Sequence, residues 1–194
     1  MTSKNIISLF LRHPDFFIEI VSTRYPFTIS QLKKYKDWLD WNKISNNINI
    51  NWTAEILNEF KDLIDWVDLS INENAFKDIS YFETFSDTID WNGSDDMMGG
   101  SIGSNNGIRW DLTLIERYES KINFEKLSAN KNVEWSEQLI NRHLPKWDLV
   151  ELGSNESIPW TIELFEKYLD ESYLSYYPIK WNKTLLSFEF VEKY

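Results

Sequence analysis

The densest set of groups able to do chemistry is Asp90-x-Asn92-Gly93-x-Asp95, followed at once by Asp96. Oxygen ligands at that density suit a calcium loop, but the bidentate Glu that closes such a loop is missing from its place. A phosphate cradle is not expected, because Gly99-Gly100-x-x-Gly103 is followed by no Lys-Ser/Thr step. Two His and no Cys leave zinc short of ligands. His143 fills an aromatic slot of a repeating pattern and reads as a packed imidazole, and His13, before Pro14, as a surface or capping residue. Carboxylates abound, and a hydrolase using those of residues 90–96 is one reading of them. Nothing singles out a pair: Glu55, Glu137 and Glu163 stand where a helix dipole favours acid for its own sake. What remains is contact chemistry. The stretch from Asn92 to Arg109 sets Asp95 and Asp96 beside the adaptable side chains Met97 and Met98, and holds five of the six glycines. Asp95, Asp96, Met97, Met98 and Arg109 are therefore the candidate partner-binding residues. No catalytic residue, metal ligand or cofactor is assigned.

The elements that must carry this stretch repeat. Aligned copies open at Phe27, Trp52, Phe76, Trp110, Trp135 and Trp160, spaced 25, 24, 34, 25 and 25 residues apart. After each leading aromatic, with Lys77 as one extra residue, stands Thr28, Thr53, Asp78, Asp111, Ser136 or Thr161. All are strong helix N-caps, whose side-chain oxygen accepts an orphan first-turn amide. The fourth helical position holds Leu32, Leu57, Phe82, Ile115, Ile140 or Phe165, which sets up a hydrophobic staple with the aromatic before the cap. Further apolar residues at Tyr35, Phe60, Phe85, Tyr118, His143 and Tyr168, then at Leu39, Ile64, Ile89, Ile122 and Trp147, predict one helix of about three turns.

A shorter second half follows. Trp41, Trp66, Trp91, Phe124 or Leu149 precedes Ile44, Leu69, Ile102, Leu127 or Leu152, and Asn47, Asn72, Asn105, Asn130 or Asn155 always stands three past that apolar residue. This predicts a one- to two-turn helix capped by Asp40, Asp65, Asp90 or Asn123. The Asn then either closes the helix in a left-handed conformation or forms a buried ladder bonded to the neighbouring copy.

Units this small cannot bury an apolar face alone, so the expected fold is all-α: an α-solenoid of about six 25-residue repeats of a helix and a short helix. Residues 1–26 read as an atypical N-terminal cap with helices at Ile6–Leu11 and Asp15–Val21. Residues 27–180 carry the repeats, with an insertion loop at 92–101, and 181–194 form a C-terminal cap helix, all in a single domain of 1–194. The alternative is a leucine-rich-repeat-like α/β solenoid. Its strand would need alternate apolar residues, and Asn42 and Glu125 occupy those places.

Trp160-Thr161-Ile162-Glu163-Leu164-Phe165-Glu166-Lys167-Tyr168 and Asp65-Trp66-Val67-Asp68-Leu69-Ser70-Ile71-Asn72 are the fullest copies of the two halves. They resemble the tryptophan-rich tandem repeats of large DNA viruses and some bacteria, over roughly residues 27–181. The resemblance implies repeat architecture and carries no activity with it.

With 31 acidic against 20 basic residues and a formal charge of −11, direct binding to nucleic acid or to an anionic membrane is disfavoured. No apolar run at the start is long enough for a signal peptide or a membrane span, and the absence of Cys fits a cytoplasmic setting. The function expected is a non-catalytic protein–protein interaction module. In its sharper form it is an acidic inhibitor or antitoxin-like protein that occludes a basic partner surface; the alternatives are the hydrolase above and a self-assembling structural repeat.

Overall fold

A computed structural model describes residues 11–93, 100–169 and 182–183. All but Leu11 of the expected helix Ile6–Leu11, all but residues 182–183 of the expected cap helix at 181–194, and the insertion residues 94–99 fall outside them. Among the described residues there are eleven α-helices and no strand; the one β-type contact is an isolated parallel bridge between Trp110 and Val133. The helical class holds. The horseshoe alternative fails where it would need its strand, because those residues coil into short helices.

The chain divides into two compact units, residues 1–90 and 91–194. The first contains α1 (Pro14–Arg24), α2 (Ile29–Tyr35), α3 (Trp41–Ser45), α4 (Ala54–Glu59), α5 (Trp66–Ser70) and α6 (Ser80–Thr84). Within it α1 packs on α3, and α3 on α5. The second contains a 3₁₀ turn at Ile102–Ser104, then α7 (Leu112–Arg117), α8 (Phe124–Ser128) and α9 (Glu137–Arg142). A 3₁₀ turn at Leu144–Lys146, α10 (Leu149–Ser154) and α11 (Ile162–Tyr168) complete it. Here the first 3₁₀ turn packs on α8, and α8 on α10.

Helix starts follow the expected chemistry. Thr28, Thr53, Asp111, Ser136 and Thr161 each accept the amide three residues on, and Thr28 with Gln31 completes a reciprocal capping box. Phe76 and Phe82 stack at 5.8 Å, a staple seen directly. Asp78 departs from the pattern: α6 starts one residue later, and the Asp78 carboxylate takes the amide of Ser80.

The expected three-turn helix is not there. The first helix of each copy runs for five to seven residues and stops near the position-eight aromatic. In the second copy Phe60, at φ −116 and ψ 18, leaves the helical region and ends α4, and the neighbouring copy keeps the helix from resuming. To continue α4, the Asp65 amide would have to bond the Lys61 carbonyl. Instead that amide donates to Ser45 Oγ at 2.9 Å, and the Lys61 carbonyl accepts the Trp66 indole N–H at 2.9 Å. Asp40, Ser22, Trp41 and Lys36 repeat the arrangement one copy earlier. Ile64, Ile89, Ile122 and Trp147 are still buried, each reached through a turn.

The left-handed Asn is also overturned. Among the described residues Gly93, at φ 78, is alone in having positive φ. The ladder is what forms. Asn47 Nδ2 donates to the carbonyls of Ser22 and Tyr25, Asn130 to those of Gly103 and Asn105, and Asn155 to those of Ser128 and Asn130, at 2.8–3.1 Å. Meanwhile Oδ1 accepts the amide two residues ahead, as from Asn49 to Asn47 at 2.9 Å. An amide side chain supplies two N–H donors toward one stretch of backbone and a separate acceptor toward another.

Rings add a second tie between copies. Trp41 lies 4.9 Å from Phe60, Trp66 5.4 Å from Phe85, Trp91 5.0 Å from Tyr118 and Phe124 5.3 Å from His143. Of the described tryptophans only Trp38 is exposed.

Candidate interaction surface

The inserted loop was the expected contact. Asp95, Asp96, Met97 and Met98 lie outside the described residues, and the flanks belong to the repeat scaffold. The Asn92 carbonyl accepts Asn123 Nδ2 at 2.7 Å, and on the far side Ser101, Ile102 and Gly103 are buried. Asp90 does not cap a helix as expected. Its amide bonds Ser70 Oγ, residues 91–93 bend away, and Ser101 becomes the cap of the shortened 3₁₀ turn. The loop read as 92–109 therefore shrinks: from Ser101 onward it is the third copy's second half. Arg109 is exposed and pairs through Nε with Glu134 of the next copy, which orients it along the surface of its own unit.

His143 is buried in the aromatic slot against Phe124 and Trp147, with Nδ1 3.2 Å from a Glu119 carboxylate oxygen. His13 is exposed before α1 and its side chain caps nothing. Glu55, Glu137 and Glu163 occupy first helical turns. Among the described residues no three His, Cys, Asp or Glu side chains gather as a metal site would require.

Two surfaces of the first unit stand out. One is an apolar groove of 540 Å³ between α1 and α2, floored by Phe17, Ile18, Val21 and Phe27 and walled by Tyr35 and Trp38. Trp38 is 74% exposed. Lys34 Nζ stands 5.0 Å from the Tyr35 ring centre, with Arg24 and Lys36 also exposed nearby in sequence. Residues 11–45, which build the groove, carry six basic and four acidic side chains.

The other surface belongs to the second and third copies. From Ala54 to Asp90 there are ten carboxylates and two lysines, and seven of the carboxylates are exposed. Set among them are Leu63, 44% exposed, Val67, 47%, and Ile79, 44%. Burial lifts the Asp68 carboxyl above its ordinary 3.8; Asp65 and Asp40 push the same way, against Asn46 and Lys43.

Sequence reading missed the groove, although a signal was present. The amides of Trp38, Leu63, Thr88, Lys121 and Lys146 all bond back to the position-eight aromatic or imidazole residue of their copy, so the five are structurally equivalent. An indole at a position that other copies give to Leu, Thr or Lys marks an exception to the packing rule. Comparison with protein-family models, with curated proteins and with solved structures finds no match.

Proposed function

We propose that the chain is a non-catalytic protein-interaction module whose copies stack as an α-solenoid of the tryptophan-rich type, and that it acts by covering a basic surface of a protein partner. The observation that carries this reading is the acidity of the second and third copies, where seven carboxylates are exposed and so are Leu63, Val67 and Ile79. Carboxylates give such a surface its orientation and association rate, and the apolar residues give it area to bury. The backbone behind the face is tied up by serine and asparagine side chains, as a preformed surface requires. An inhibitor or antitoxin-like role in the cytoplasm is the specific form of the proposal; no helix among the described residues is long and apolar enough to cross a membrane.

The test is titration of a labelled amphipathic peptide of lysine and leucine at helical spacing. Binding is expected to weaken about tenfold as salt rises from roughly 50 to 300 mM, and to be lost in Asp62→Lys/Asp87→Lys. Salt-insensitive binding, or binding that survives the reversal, removes the occlusion role.

A further inference from the structure

We infer that the partner of the acidic face is a second copy of this chain, which contributes the groove beside Trp38. The inference rests on the reading of that face as an interaction surface and names what it meets. The two surfaces complement each other in both respects that matter. The groove segment has an excess of basic side chains, with Lys34 set against its Tyr35 wall, and the face of the second and third copies is the most acidic part of the described chain. Among the described residues the groove is an apolar volume, and Leu63, Val67 and Ile79 are exposed apolar side chains of a size to enter one. Because both surfaces belong to one compact unit, two chains can exchange them reciprocally, groove to face twice over, which is the self-complementary logic of a two-fold dimer. Trp38, exposed in a single chain, is the anchor: a large ring that becomes fully desolvated is the usual hot spot of an interface.

Sedimentation of the full chain between about 1 and 200 µM tests this. The native chain is expected to shift from monomer to dimer over that range, at least tenfold more weakly with Trp38→Ala. Lys34→Glu/Lys36→Glu and Asp62→Lys/Asp87→Lys should each be monomeric alone. Their equimolar mixture should recover a heterodimer, because the reversed groove then meets the reversed face. Circular dichroism of each variant confirms that folding is intact. A native chain that stays monomeric while the lysine–leucine peptide binds overturns the self-partner and leaves the interaction module standing. If neither associates, both readings fall. Dimerisation indifferent to Trp38→Ala, or a mixture that stays monomeric, also overturns the inference. So does association that appears only after residues 1–10 are removed, since the groove would then belong to that segment.

Discussion

The hydroxyl of Ser45 accepts the Asp65 amide at 2.9 Å while donating to the Trp41 carbonyl at 2.8 Å. One buried oxygen thus closes its own short helix and anchors Asp65, the residue that caps the short helix of the next copy. Ser45→Ala is expected to cost about 1–3 kcal/mol, the range for a polar group left without its partner. Urea unfolding of the variant measures it. A loss below about 0.5 kcal/mol would mean that water replaces the hydroxyl.

Gly103 fills the serine's place in the third copy, and the Asn123 amide turns instead to the Trp91 carbonyl at 3.3 Å. A Cβ on Gly103 would sit 3.2 Å from the Asn123 carbonyl oxygen. Asn123 is held at both ends, by that bond and by its cap to Lys126, so the carbonyl has little room to give. Gly103→Ala should therefore destabilise the second unit by about 1–2 kcal/mol, reversing the usual gain from replacing a glycine. Thermal unfolding decides the sign.

Asn130 donates to two carbonyls and accepts the Asn132 amide at 2.7 Å, all while buried. Asn130→Asp keeps the shape, removes both donors and turns a carboxylate oxygen toward carbonyls. The expected loss is about 3 kcal/mol or more, larger than for Asn130→Ala, because a buried charge is worse than an absence. Chemical denaturation of the two variants side by side gives the order.

Lys167 donates to Glu137 at 2.5 Å, joining the fifth and sixth copies; the bond lowers the Glu137 carboxyl from its ordinary 4.5 and raises the Lys167 ammonium from its ordinary 10.5. The carboxylate's contribution is present above pH 4.5 and fades as pH falls through its lowered folded value. That of the ammonium is present below 10.5 and fades as pH rises through its raised one. The difference in melting temperature between native chain and Glu137→Gln should thus form a shallow plateau across neutral pH and vanish at both extremes. Both groups are exposed, so the plateau should shrink in high salt.

Trp110 is fully buried and Trp38 stands largely in water. Trp110→Ala should cost about 3–5 kcal/mol and Trp38→Ala close to nothing in a single chain. A comparable loss at Trp38 would make it a packing residue and remove it as an anchor.

The sequence made visible whatever is decided by a few adjacent residues. Thr53 caps α4 because its own hydroxyl reaches the Ile56 amide, and Leu57 is buried because the local pattern puts it inward. Hidden from it were features set by a residue some twenty positions away. No local pattern says that Asp65 will give its amide to Ser45, and so none reveals that the helical ladder does not resume before α5. Ser22 is instructive: the first 26 residues looked foreign to the repeat, yet this side chain serves Asp40 as Ser45 serves Asp65. At the candidate surface, acidity was legible from counting. The groove was not, because α1 and α2 must pack before Val21 and Trp38 share a wall.

The side-chain amides Asn47, Asn130 and Asn155 all reach backward, to carbonyls about 25 residues earlier, and the serine oxygens likewise wait for amides that come later. Each donor thus belongs to the younger segment and each acceptor to the older one. In these asparagine and serine bonds, a newly synthesised segment meets acceptors that are already in place. For these bonds, cutting a unit short from its far end strands acceptor oxygens, carbonyl and hydroxyl, which water can serve. Cutting from the near end leaves enclosed N–H groups with no one to bond, the costlier injury.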